Sequence, residues 1–494
     1  VTNSPPPDAA SASELVGRSA AEMIAALDAG RVSARALLAA HLTRVDLVDP
    51  WLHAVAARRD DAVLAAAEAL DARRAAGQRP GPLAGMPVSI KDMYAMQGWT
   101  WACGLAERAD IVADHDADLV ARLRVAGAVP FVRTATAPAT MLHETVGRLT
   151  GVTRNPWGQR AAIGGSSGGE AALVAAGASP WGIGSDMGGS VRLPAHATGI
   201  VGLRLTPGRV PMAGQWPDAP ELAPLNAPGV FARNVDDAAR LAEALSGAPF
   251  PRPDLSEIPL TSVLPRSRLP RWPVGPEVAA GLRRVVDLLG QRDDVRLREQ
   301  TAPELLEGAF AIWQALATRG GMGWLKQGIG VPADIGSWAL LRLRRQALRG
   351  AAPHSPELLL QLAGLPFVQP SPRALAGLPA RIEVLRARWD SALAGGAGVV
   401  LMPVMPTAAP ARGSWLRGLL TLQGRRVFSW LVAPNVLGLP AAAVPVGWTW
   451  AGLPYAIQVI GAAGSEGRVL AVARAIEQLA GFRPKAFTPP DQAA

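Results

Sequence analysis

The chain has 494 residues, 49% of them hydrophobic and 18% charged, which excludes a disordered polypeptide and leaves room for a large core. Its net charge of +9 comes from scattered arginines without a zinc-finger, RRM or helix-turn-helix pattern, which argues against a nucleic-acid-binding module. A single cysteine, Cys103, excludes an internal disulfide framework and fits a reducing, cytoplasmic setting.

The first residues, Val1 to Pro7, carry no basic and then apolar leader, so no signal peptide is expected. Residues 11–78 read as helices, with clear periods over Ala20 to Leu27, Ala34 to Val48 and Asp60 to Ala76. An apolar run ending at Ile90 predicts the first strand. Leu119 to Ala126 then reads as an amphipathic helix, and Ala128 to Val132 as the next strand. A helix is expected over Glu170 to Ala178, directly after a glycine–serine loop, and short strands at Trp181 to Gly184 and Ile200 to Leu203. Frequent prolines from Pro249 to Pro276 mark a connecting loop. Residues 277–395 are helical in pattern and read as a variable cover for a pocket. Strands return at Val399 to Met402, Ala441 to Val446 and Ala456 to Ile460, and a last helix runs from Gly467 to Leu479. The most apolar stretch, Leu431 to Gly447, is broken by Pro434, Asn435, Gly438, Pro440 and Pro445. It reads as a buried strand-turn-strand and a poor membrane span. The alternation predicts an α/β fold: one large domain over 1–494, a mixed β-sheet core flanked by helices, with 399–480 completing the core.

Chemistry concentrates in two runs, Gly164-Gly165-Ser166-Ser167-Gly168-Gly169 and Ser185-Asp186-Met187-Gly188-Gly189-Ser190-Val191-Arg192. They set Ser166 and Ser190 24 positions apart on backbone almost free of side-chain bulk, where main-chain N–H groups can approach a ligand and hold an oxyanion. Lys91 lies 75 positions before Ser166, in the apolar segment Gly85 to Ile90. Only three residues, Lys91, Lys326 and Lys485, are lysine, against 46 arginines. A buried lysine can lose its proton and act as a base, which arginine cannot do; a lysine snorkelling from a strand end is the plainer alternative. A lysine and two serines on glycine-lined backbone suggest acyl transfer without histidine. Gly164 to Gly168 also fits G-x-S-x-G, but Asn155 to Arg160 before it read as a loop and only His196 and His354 follow. Neither phosphate-binding glycine motif occurs, and the six histidines lack metal-ligand spacing, so no metal and no cofactor are expected.

Lys91, the first run, and Gly184 to Ala195 together closely resemble the amidase signature family. The resemblance extends through Gly202-Leu203-Arg204 and Gly208-Arg209-Val210, then resumes at Gly438-Leu439-Pro440-Ala441, Gly452-Leu453-Pro454 and Gln458-Val459-Ile460-Gly461. It covers residues from about 10 to 245, with a signature core at 80–245, and the last 95 or so. The resemblance implies an amidase with Ser190 as nucleophile, Ser166 as a bridging serine on a cis peptide, and Lys91 as base. It implies an oxyanion hole from the N–H groups of Met187, Gly188, Gly189 and Ser190, with Ser167, Asp186 and Arg192 in support; a loop staple is the alternative for each of these three.

Two departures bear on the substrate and the base. Arg133-Thr134-Ala135 stands where many members have Lys-Thr-Asn, and Arg204 replaces a common lysine, whereas Lys91 stays. Phe428, ahead of Asn435-Val436-Leu437-Gly438-Leu439-Pro440, falls where glutamine-using amidotransferase subunits carry an acidic residue, which favours an apolar pocket. Glu170 is similar to the fatty acid amide hydrolase branch. Trp99, Trp101, Trp313, Trp324, Trp338, Trp415 and Trp430 fall where they could line an acyl pocket, though core packing serves each as well. The expected activity is cleavage of the C–N bond of a hydrophobic or aryl carboxamide. Ester hydrolysis, acyl transfer in a larger complex, and an inactive binding subunit remain as alternatives. A homodimer is compatible with the chain. So is contact with a membrane surface through Arg342, Leu343, Arg344, Arg345 and Arg349 beside Trp338, Leu340, Leu341 and Leu348, although a solvated helix face is the simpler reading of that patch.

Overall fold

The computed structural model describes residues 7–78, 80–263, 274–328, 334–349, 359, 362–363, 369–414 and 422–490. Its strands are β1 (Val55–Arg58), β2 (Pro87–Lys91), β3 (Val129–Thr134), β4 (Val146–Gly147), β5 (Gly151–Val152), β6 (Trp181–Asp186), β7 (Val201–Arg204), β8 (Ala227–Ala232), β9 (Leu260–Val263), β10 (Leu297–Gln300), β11 (Val399–Pro403), β12 (Ala441–Trp448) and β13 (Pro454–Gly461). Apart from the small β4–β5 hairpin, they form one sheet in the order β1-β3-β2-β6-β8-β7-β12-β13-β11-β9-β10. Pairing is parallel at β3–β2, β2–β6, β11–β9 and β9–β10 and antiparallel at the other neighbours, so the sheet is mixed. Helices cover both faces, so β2, β3, β6, β8, β11 and β13 are buried at every residue, as continuous apolar runs require. The α/β architecture is therefore as expected.

Two glycines of β6 bring the helix Gly168–Ala175 onto the sheet. A Cβ at Gly182 would lie 2.9 Å from Glu170 Cβ, and one at Gly184 would lie 2.7 Å from Ser167 Oγ. Only side-chain-free backbone admits the glycine–serine loop this close to β6. Because β2 and β6 are parallel neighbours, Lys91 and Asp186 end their strands on the same side of the sheet.

β1 interrupts the helical reading of 11–78, and the fold differs from the sequence expectations in four further places. β8 contains Pro228 and Gly229, β9 lies inside the proline-rich 249–276, and β10 interrupts the helical cover with the polar run Leu-Arg-Glu-Gln. β10 survives as a strand because it needs only one neighbour, β9, at the sheet edge. The fourth is Leu431 to Gly447, whose first part is not a strand but the end of a helix, Leu422–Val436, despite Pro434. Proline removes the N–H that would satisfy the carbonyl four residues back. Here that carbonyl, on Trp430, accepts instead from Gln458 Nε2 at 2.8 Å, and the next one, on Leu431, accepts from Arg192 Nη1 at 2.8 Å.

Among the described residues no helix is long and apolar enough to cross a membrane. In the helix Ile335–Arg349, Leu340 and Leu341 are exposed and Arg342 lies over the Trp338 ring at 5.3 Å. The side chains of Arg345, Leu348 and Arg349, with those of Trp324 and Trp415, fall outside the described residues.

Candidate active site

Lys91, the last residue of β2, is fully buried, which excludes a snorkelling lysine. Its Nζ lies 2.7 Å from Ser166 Oγ, 2.8 Å from Ser167 Oγ and 3.0 Å from Ser185 Oγ. A neutral amine offers two N–H donors and one lone pair, and an ammonium offers three donors; three hydroxyls satisfy either form without loss of a hydrogen bond. Burial pushes the Lys91 ammonium below the ordinary lysine range, while Glu170, Cys103 and Asp186 act in the opposite sense. Burial also raises the carboxyl of Glu170, which accepts from Thr134 Oγ1 through one oxygen and leaves the other, Oε2, without a partner. Burial thus brings the neutral lysine that a base requires within reach at lower pH than for a lysine in water.

Ser166 follows a cis Gly165–Ser166 peptide. Its carbonyl accepts from Thr136 Oγ1 at 2.8 Å and Ala137 N at 3.2 Å, and Thr145 Oγ1 accepts from Gly168 N at 2.9 Å. A Cβ at Gly165 would fall 2.7 Å from the backbone of Leu142 and Glu144, so this turn admits only glycine there. Ser166, Ser185 and Ser190 face a common cavity of ≈ 40 Å³ whose apolar wall includes Met93, Met141, Met187 and Leu222.

Ser190 ends a turn held rigidly from below. Asp186 is fully buried, and burial alone would favour its neutral form. The Arg192 guanidinium, with Nε 3.0 Å from Oδ2 and Nη2 3.0 Å from Oδ1, overrides this, aided by Arg204 and by Asn435 Nδ2 at 2.8 Å. The carboxyl is held well below the usual range. Arg192 also donates to Gln458 Oε1 at 2.8 Å and Asn435 Oδ1 at 2.6 Å. Asp186 Oδ1 accepts from Gly189 N at 2.8 Å. The Gly189 N–H, expected in the oxyanion hole, donates to this carboxylate in the structure. The N–H groups of Met187, Gly188 and Ser190 have no acceptor among the described residues. Gly189 has φ +96°, and its absent side chain leaves room for Leu431.

The outer side of the turn is aromatic. Trp313 Nε1 donates to the Met187 carbonyl at 2.9 Å, and His143 Nε2 lies 3.2 Å from the Gly188 carbonyl. Burial lowers His143 to about 4, so it stays neutral. Phe428 packs against His143, with ring centroids 4.7 Å apart, and against Phe310. Of the tryptophans singled out, Trp99 and Trp430 are buried in the core, Trp101 Nε1 donates to Met93 O, Trp313 Nε1 donates to Met187 O, and Trp338 packs in the cluster that holds Leu222 and Met187. The residues before Ser166 form no strand, so the G-x-S-x-G elbow is excluded. No group of three or more potential metal ligands occurs among the described residues.

The substitutions of arginine for lysine are also explained. Arg133 pairs with Asp92 at 2.8 Å, and Arg204 donates to Leu439 O and Asp186 O, tasks for a permanent cation. Sequence reasoning missed Ser185, Gln458 and Asn435. Ser185 stands beside Asp186 in a motif already singled out, whereas only the fold brings the other two to Arg192.

The amidase family model matches residues 36–470. The chain belongs to the amidase family. Amide hydrolysis is the chemistry of this family, and the amidase is an enzyme of that class. One relative, an indoleacetamide hydrolase of Bradyrhizobium diazoefficiens, is 32% identical over 94% of this chain and 86% of its own length. A glutamyl-tRNA(Gln) amidotransferase subunit from Acidothermus cellulolyticus is 43% identical, over 48% of this chain and only 46% of that protein. Among solved structures, a crystal structure of an amidase superposes with a TM-score of 0.78 at 26% identity, covering 93% of this chain and 99% of that one.

Proposed function

We propose that this amidase hydrolyses a hydrophobic or aryl carboxamide through an acyl-enzyme on Ser190, with Ser166 and Lys91 as the proton relay. The observation that carries this reading is the fully buried Lys91 Nζ 2.7 Å from Ser166 Oγ, beside a cavity that Ser166 and Ser190 share. Neutral Lys91 takes the proton of Ser166 as Ser166 takes that of Ser190, and the Ser190 oxygen adds to the amide carbonyl. The N–H groups of Met187, Gly188 and Ser190 receive the resulting oxyanion. The relay then returns the proton to the nitrogen, the C–N bond breaks, and water releases the acid by the same path. Ser167 and Ser185 hold the amine, and Asp186 and Arg192 hold the turn.

The methionine-rich cavity wall supports an apolar acyl group, and the indoleacetamide hydrolase relative names an aryl substrate of that kind. Helices within 277–395 are proposed to shape the acyl side of the pocket, since Trp313 reaches the Met187 carbonyl and Ala339 packs in a cluster with Leu222. The amidotransferase relative favours a second reading, amide transfer in a larger complex. Phe428, buried against aromatic rings, offers no charge to a glutamine substrate and weighs against it.

A small fluorophosphonate is expected to add once to the wild-type chain and not to Ser190→Ala, measured by intact mass. No adduct on either, or equal labelling of both, would overturn the nucleophile. A pH profile tests the lysine. Activity should rise as Lys91 loses its proton, and an ionised Glu170 favours the protonated form. Glu170→Gln is therefore expected to move the acid limb of kcat/KM to lower pH. An unmoved limb would mean that Glu170 is neutral throughout.

A further inference from the structure

Asn226 stands one residue before β8, whose Ala227 pairs with Asp186, so it lies beside the turn that carries Ser190. Its backbone N donates to Leu222 O at 3.1 Å, and the preceding carbonyl, of Leu225, accepts from Asn435 Nδ2 at 3.2 Å, fixing its position. Asn226 lines the same cavity as Ser166 and Ser190. Asn226 Nδ2 donates to Gln215 Oε1 at 3.2 Å, which sets the plane of the amide, yet Asn226 Oδ1 is buried without a hydrogen-bond partner. A buried acceptor without a donor is costly and calls for an occupant. In a cavity whose wall is otherwise largely apolar or hydroxyl, that occupant is a group carrying a hydrogen-bond donor.

We propose that Asn226 Oδ1 accepts an N–H of the scissile carboxamide, so that the pocket selects amides over the matching esters. The inference rests on the Ser190 acyl-enzyme proposed above. With the substrate carbonyl on the turn, the leaving nitrogen is the nearest donor to a residue beside that turn. An ester places an oxygen there, whose lone pairs face those of Oδ1 and leave it unsatisfied. Gln215 is a positioning residue in this arrangement.

Phenylacetamide and methyl phenylacetate test the idea, because they form the same acyl-enzyme and differ in the leaving group. In Asn226→Leu, kcat/KM for the amide is expected to fall about 10- to 100-fold, the effect of losing one hydrogen bond in a dry site, with the ester rate unchanged. The rate of fluorophosphonate labelling at Ser190 should also be unchanged, which separates this role from a merely structural one. Asn226→Asp keeps an acceptor oxygen, to which Gln215 can donate after turning its amide, and is expected to retain amide cleavage. Equal losses on amide and ester in Asn226→Leu, or an unchanged amide rate, overturn the proposal. So does a wild-type enzyme that cleaves the ester and not the amide. Labelling of Ser190 without cleavage of either substrate overturns the aryl-acyl assignment and this selection with it. A wild type inert to all three probes overturns the proposed function itself.

Discussion

Lys91→Arg is expected to fold and to lose about 10³-fold or more of kcat/KM, within the range that general-base catalysis contributes. The argument is one of proton affinity and space. Arginine stays protonated at any pH compatible with the fold, so it cannot take the proton of Ser166. Its planar fork also fits poorly where a single nitrogen meets three hydroxyls within 3.0 Å. Folding should survive, because Glu170 lies close enough to favour a cation at this site. Raising the pH should not rescue the variant. Activity within tenfold of wild type, measured on any amide the enzyme cleaves, would remove Lys91 from the role of base.

Asp186→Ala is expected to lower stability by about 3–5 kcal/mol, the effect of stripping a buried cation of its partner. Two guanidinium groups, Arg192 and Arg204, are fully buried against this one carboxylate, so its loss leaves both uncompensated. Burial disfavours the charged form of Arg204, and the Asp186 carboxylate opposes that effect. Turnover should drop even in the folded fraction, because the N–H groups of Gly189 and Val191 lose the acceptor that shapes the turn. The carboxyl titrates below its ordinary 3.8, so its contribution is fully present above that pH and fades only on acidification. The thermal midpoint of the purified variant tests this; an unchanged midpoint would refute it. Asp186→Asn, which keeps the shape without the charge, should fall between the two.

Much of the site was legible in the sequence for a physical reason. Glycines that allow backbone to approach a ligand must be adjacent in the chain, so the runs around Ser166 and Ser190 announce themselves. Scarcity made Lys91 conspicuous, since arginine filled the places where charge alone was needed. The helices of the first eighty residues and the apolar strands β2, β3, β11 and β13 were legible because both faces are buried or the helical period is long. Edge and proline-bearing strands such as β8, β9 and β10 were not, because their pairing comes from neighbours distant in sequence. Pro434 misled for the same reason: its helix persists only because Gln458 and Arg192 supply the hydrogen bonds. The Gln215–Asn226 pair carries no local signature at all.

The bracing of Arg192 sets an order on the birth of activity. Its partners Asn435 and Gln458 lie 243 and 266 residues further along the chain, and contacts of such span form late. A nascent polypeptide that has displayed Lys91, Ser166 and Ser190 still lacks the struts that aim the turn. On the mechanism proposed above, a truncated product that ends before Asn435 is therefore expected to carry Ser190 on a turn without its brace and to be inert.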